Sequence, residues 1–377
     1  MFYSGRATII GPPVLLLLLF AMSGACKADE ASTRTVFLLQ WAGEYTWGGR
    51  CDFPLAVFDN RMWILGGYTN PPPNPLSLFT NDVWYSTDGQ RWHLAVDPAP
   101  WSPRQGHTAV AFDNKLWILG GAIGYEKLVS DIWYSEDGEN WTFVTNSALW
   151  GPRAGHTTLV FDNKIWIIGG LVGPNVRAND VWYSTDGINW YRATDDAGWV
   201  PRDSHQSVVF DNKMWVMGAC LTTGQGFKND VWYSGDGVNW SLATASAAWA
   251  PRDAFTAVVF DNKIWIMGGD ASGRVADIWA STDGENWELV TGSAPWGRRE
   301  SHASAVFDNK IWVVGGSTDE GMLNDVWYFT GENWHRTVLW RSSDFIHVWY
   351  IILAGVTVAV VYLWTVTKRM KQSNTTI

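Results

Sequence analysis

The side chains in this sequence that could do chemistry recur. An arginine opens each of six similar segments, at Arg50, Arg104, Arg153, Arg202, Arg252 and Arg299. Three residues further on stand His107, His156, His205 and His302, with Phe53 and Phe255 in the remaining two segments. A guanidinium is permanently charged and grips a carboxylate with two parallel N–H donors, so a ring of such groups offers a clamp for a carboxylate or an acidic sugar. An arginine repeated in every segment has a second use, bracing neighbouring segments through carbonyls and carboxylates. The histidines have no carboxylate beside them at metal-ligand spacing, which points to hydrogen-bonded scaffold and to no metal.

Residues that break the repetition are more informative. Directly after the arginine come Asp203, Asp253 and Glu300 on three consecutive segments, where the first three carry Cys51, Gln105 and Ala154. An acidic arc beside an arginine ring could supply a general base and an anion clamp, which makes Glu300, Asp253 and Asp203 the candidate catalytic residues. Solvated surface charge is the plainer reading of the same three. Candidate ligand-binding residues are Arg104, Arg153, Arg202, Arg252 and Arg299, with Tyr125, Arg177 and Arg274 from the most variable stretches of the segments.

These residues must be placed by elements that repeat with them. Phe-Asp-Asn recurs at Phe58, Phe112, Phe161, Phe210, Phe260 and Phe307, spaced by 47 to 54 residues. Short apolar runs flank each polar Asp-Asn pair and predict a hairpin, and a second hairpin is predicted around an Asp-Gly pair such as Asp137-Gly138. Each unit is thus four antiparallel strands, a to d. Most of the 28 tryptophans belong to the repeat, so tryptophan is read as scaffold. Units of this length that cannot bury both faces alone pack radially as the blades of a propeller. The a-b and c-d turns then share one nearly uniform face. The b-c loops and d-a crossovers share the other, which varies and is where specificity would sit.

Gly-Gly at the end of strand b, as in Gly66-Gly67, Gly120-Gly121, Gly169-Gly170, Gly268-Gly269 and Gly315-Gly316, with a tryptophan further on, resembles the kelch repeat. The resemblance covers about Trp47 to Trp340 and implies an all-β, six-bladed kelch-type β-propeller, with blades at about 48–101, 102–150, 151–199, 200–249, 250–296 and 297–340. Blade four departs with Gly218-Ala219, and blade six lacks the Asp-Gly pair. The Ser-Thr-Asp-Gly-x-x-Trp stretches also resemble the Asp-box of sialidases. Val36 to Trp47 resembles a fourth strand with its crossover and is expected to pair with blade six, closing the ring and hiding a sheet edge. The cysteine-tyrosine and paired-histidine set of galactose-oxidase-like copper enzymes cannot be placed, so no cofactor is expected.

Composition bounds the partners. Lys plus Arg 27 against Asp plus Glu 37 gives a formal charge of -10 without a basic block, which sets nucleic acid aside. Residues 1–25 read as a signal peptide, with an apolar run too short to span a bilayer. Residues 346–367 carry no formal charge and are followed by Lys368 and Arg369, which predicts one membrane-spanning helix with 368–377 cytoplasmic and the propeller, within 34–340, on the other side. Ser23-Gly24-Ala25-Cys26 also resembles a lipoprotein box. Cys51 and Cys220 fall on opposite blades and are expected to be free thiols. Two functions remain open: a membrane-anchored propeller binding a protein or glycan on its variable face without catalysis, or a sugar-processing enzyme similar to kelch-type sialic acid mutarotases or sialidases.

Overall fold

A computed structural model describes residues 47–69, 79–124, 127–221 and 226–337. The signal-peptide, spanning-helix and tail expectations lie outside these residues, as do Cys26, the proline insertion of blade one and Tyr125. Among the described residues no helix is long and apolar enough to cross a membrane.

The order of strands follows the sequence periodicity. Blade three is representative, with strands Thr157–Phe161, Lys164–Gly173, Val176–Ser184 and Tyr191–Thr194 hydrogen-bonded in that order. Six such antiparallel sheets form, and blade one adds Arg50–Cys51 against the end of its strand b. Strand b is the apolar centre of each blade: Ile165, Trp166, Ile167 and Ile168 are all buried. Its side chains alternate between the two faces of the sheet, so both faces must be covered by neighbouring blades. Six buried clusters lie at the six blade junctions, each mixing residues of two adjacent blades.

The a-b hairpins turn where Asp-Asn was expected. Asp162 and Asn163 both take positive φ, 50° and 53°, which a two-residue turn of this kind requires and which Asp and Asn tolerate best after glycine. The c-d turns are held by their own side chains. Ser184 Oγ accepts from the Gly187 amide, and Asp186 Oδ1 accepts from the amides of Ile188 and Asn189. Gly187 has φ of 75°, and a Cβ there would lie 2.4 Å from the Trp117 ring of blade two. The same glycine-on-tryptophan contact recurs at Gly89, Gly138, Gly237 and Gly284, each against the strand-b tryptophan of the preceding blade. Blade six, which lacks the Asp-Gly pair, covers Trp265 with Phe329 instead, ring centroids 5.5 Å apart.

Blade six completes its own fourth strand, Trp334–Arg336, paired with Val326–Phe329. Trp47 does act as the sixth crossover: Asn324 donates to its carbonyl at 3.3 Å, as Asn81 donates to Trp101 at 2.8 Å and Asn179 to Trp199 at 3.0 Å. Arg50 then pairs its backbone with Leu323 and Gly316 of blade six. Residues 36–46 lie outside the described residues.

Candidate site at the channel mouth

All six arginines are no more than 2% exposed. Each makes a bidentate pair with an aspartate in or just before strand c of its own blade: Asp82, Asp131, Asp180, Asp230, Asp277 and Asp325, at 2.6–3.0 Å. Each also donates from Nη1 to the first glycine carbonyl ending strand b, at 2.8–3.0 Å. The crossover tryptophan lies on the guanidinium, 5.4–5.9 Å from ring centroid to Cζ. Burial raises the carboxyls of Asp82, Asp230 and Asp277, but the adjoining guanidinia outweigh it and hold all three below the ordinary range. Meanwhile the arginine backbone pairs with the previous blade, as Arg104 N–H does with Thr80 O and Gly67 N–H with Arg104 O. The expectation that Arg104, Arg153, Arg202, Arg252 and Arg299 bind a ligand is therefore corrected: their donor edges are spent on carboxylates inside the protein, and they brace one blade to the next.

The histidines are scaffold too. His156 Nε2 meets Thr108 Oγ1 of the preceding blade at 3.1 Å, His205 meets Thr157 at 3.0 Å, and His302 meets Thr256 at 3.2 Å. Burial lowers all of them, His205 and His302 to about 3, so they are neutral at pH 7. Phe53 faces a junction where the threonine position holds Ala303, so the apolar ring meets an apolar partner. His107 breaks this matching. Its partner position holds Pro54, and neither ring nitrogen forms a well-made hydrogen bond.

Just inside the arginines, one residue per blade adopts positive φ: Asp52, Gly106, Gly155, Ser204, Ala254 and Ser301, at 50–61°. The amide of each donates to the carbonyl of its counterpart in the preceding blade at 2.7–3.2 Å, giving a closed ring of six hydrogen bonds around the axis. Strand a of every blade lines the channel below, a cavity of about 250 Å³. Asp52 is the one charged side chain among its lining residues.

Above the ring, the residues after the arginines form the mouth, each opposite a residue near the end of its own strand b. In blades one to three these pairs are Cys51 with Tyr68, Gln105 with Ala122, and Ala154 with Leu171. In blades four to six they are Asp203 with Cys220, Asp253 with Asp270, and Glu300 with Ser317. The mouth thus has an uncharged half and an acidic half. Arg177 of blade three reaches across the junction to Asp203 at 2.5 Å, and Arg274 of blade five reaches Glu300 and Asp319, each at 2.6 Å. The structure therefore joins Asp203 to Arg177 and Glu300 to Arg274 in loop-to-blade ion pairs that sequence spacing did not reveal, with Asp253 on the blade between them.

Asp253 sits between these two pairs with no cation of its own. Burial, then the charges of Asp270, Asp203 and Glu300, raise it to about 7. Burial also raises Asp203 and Glu300, against the pull of their arginines. Both described cysteines are free thiols; burial and the adjacent Asp52 push Cys51 up, so it is a poor nucleophile. Among the described residues no group of three or more His, Cys, Asp and Glu side chains is arranged to hold a metal ion.

Six four-stranded blades, Gly-Gly at the end of strand b and a channel ringed by strand a define a kelch-type β-propeller. The family model for the KLHDC2/KLHL20/DRC7 Kelch-repeats domain matches residues 52–233 and 204–344, and the chain belongs to this family. A solved structure, that of YjhT, is similar to this chain with a TM-score of 0.64 at 15% identity, covering 78% of this chain and 98% of that one. At that identity the likeness concerns the fold. No curated protein matches.

Proposed function

We propose that this propeller is a binding module whose protein or glycan ligand docks on the face formed by the b-c loops and d-a crossovers. The observation that carries this reading is where the six-fold repetition breaks: the turn face repeats the same Asp-Asn and Ser-x-Asp-Gly devices, whereas the mouth carries an acidic half with two loop arginines. Divergence on a uniform scaffold is the usual mark of a specificity surface. In this reading residues 346–367 anchor the chain in a membrane with the propeller on the extracytoplasmic side. The support is the uncharged run followed by Lys368 and Arg369.

The test is a glycan and peptide array with the full-length chain, repeated with Arg177→Ala and Arg274→Ala. A ligand retained by the native chain and lost by either variant supports the mouth, whereas ligands indifferent to both variants contradict it. Protease added to intact cells should remove the repeats and spare a tag after Ile377; protected repeats would contradict the orientation.

A second reading, a sugar-processing enzyme, is favoured by one observation. Asp253, raised to about 7, can hold or release a proton near neutrality, and Asp270 faces it across the strand pair. Glu300 and Asp203 are less suited, because each is tied to an arginine. Turnover in a mutarotation assay that vanishes in Asp253→Asn would favour this reading over simple binding.

A further inference from the structure

The channel beneath the mouth has properties that the loop face does not explain. Its volume of about 250 Å³ corresponds to roughly eight waters at about 30 Å³ each, enough for a molecule the size of one sugar ring. Its walls carry hydrogen-bonding capacity that nothing in the chain uses. Ser207 Oγ and Ser304 Oγ find no partner, and both residues line the cavity. A change of χ1 rotamer turns either serine hydroxyl toward the lumen. The histidines of the wall are held neutral by burial, so Asp52 is the one acid of the cavity; burial raises its carboxyl, against hydrogen bonds from Ser301 and Cys51, and a cation beside it would favour the charged form. Asp52 is accessible to water at the ring of positive-φ residues, where the other blades place only glycine, alanine or serine.

The route to the cavity is also negative. Asp203, Asp253, Asp270, Glu300 and Asp319 stand at the mouth against Arg177 and Arg274, and both arginines are already paired. The buried ring arginines add nothing to the lumen, being neutralised one-to-one by aspartates. A field of this sign concentrates cations and repels anions, and a charge-assisted hydrogen bond to a carboxylate is about twice as strong as a neutral one.

We propose that the central channel binds a small hydroxylated amine, an amino sugar or amino alcohol, with its ammonium group on Asp52 and its hydroxyls on the unpartnered serines of the wall. This site lies below the loop face and does not depend on what docks there. The ligand charge it selects is opposite to that of the acidic sugar for which an arginine ring is suited.

Calorimetry and saturation-transfer NMR on the full-length chain test this with three probes: glucosamine, glucose and N-acetylneuraminic acid. Glucosamine should bind at least about tenfold more tightly than glucose, with no binding of N-acetylneuraminic acid. Asp52→Asn should erase the preference for the amine, since asparagine tolerates the same positive φ and leaves the backbone unchanged. The double variant Ser207→Ala, Ser304→Ala should weaken glucosamine and glucose alike and keep their ratio. Equal affinity for glucosamine and glucose, absence of binding by both, retention of the preference in Asp52→Asn, or preference for the acidic sugar would each overturn the proposal. Failure here with an array ligand still lost in Arg177→Ala would leave the loop-face reading standing.

Discussion

At the scale of single residues, the blade junctions are matched pair by pair. Histidine meets threonine across three junctions and phenylalanine meets the alanine position across a fourth; His107 opposite Pro54 and Phe255 opposite Gln206 depart from this matching. His107 has no side-chain partner across its junction and only a backbone contact with Leu65, so His107→Phe, which copies Phe53 and Phe255, should raise the melting temperature. His156→Phe should lower it, because it strips an imidazole partner from Thr108. Thermal denaturation of the two variants separates these directions. Asp253 gives a pH prediction of definite sign. Its folded pKa, raised to about 7, lies above the ordinary carboxylate value, so the native state binds its proton more tightly than the unfolded chain does. The stability it contributes is fully present below the ordinary pKa near 4 and is lost as pH rises through about 7. Asp253→Asn should therefore melt higher than the native protein at pH 8 and match it near pH 4. Part of this scale was legible in sequence. The bracing arginine could be stated as one of two uses, but its aspartate partner follows at 32 residues in blade one and 25 in blade five, because the b-c loops differ in length. The ion pairs of Arg177 and Arg274 were hidden for a different reason: each crosses a blade junction.

At the scale of elements, the Ser-x-Asp-Gly turn of strands c and d is a junction device as well as a hairpin. Its glycine is needed twice, for positive φ and for contact with the tryptophan of the preceding blade. Gly187→Ala should therefore destabilise by more than about 2 kcal/mol, through clash and backbone strain together. Gly331→Ala in blade six, at φ of 99° with nothing near its Cβ, should cost only the strain, about 1 kcal/mol. Chemical denaturation of both variants checks the difference; equal losses would mean that the tryptophan contact is slack. The hairpins themselves were readable, since Asp-Asn and Asp-Gly specify turn geometry locally. The identity of the strand completing blade six was not. The run Trp334–Arg336 is only three residues long and follows a turn without the Asp-Gly pair, so it carries little strand signal of its own.

At the scale of the whole molecule, stability rests on repeated junctions closed without a disulfide among the described residues. Removing one partner of a brace should be felt strongly: Asp131→Ala leaves Arg104 charged and buried, a change that typically costs about 3–5 kcal/mol. The ring amides of residues 52, 106, 155, 204, 254 and 301 should be among the slowest to exchange with deuterium, because freeing any of them requires adjacent blades to part. Rapid exchange at these six positions in an otherwise protected protein would contradict that. Blade number was legible from the count of Phe-Asp-Asn turns, whereas the closed ring of amides was not, since the residues two places after each ring arginine have no side-chain type in common.

That ring has an electrostatic consequence. Its six donors all point the same way around the axis, each toward the preceding blade. In a helix, peptide dipoles stack head to tail along a line and sum to a partial charge at each end. Bent into a closed circuit, their tangential components cancel, as the arrows of any regular polygon do. The threshold of the channel can be rigid and fully bonded, each link polarising the next, while presenting almost no net field to a molecule passing through it. Discrimination by charge is then delegated to a single vertex of the hexagon, the one occupied by Asp52, and could be rewritten there by one codon without disturbing the circuit.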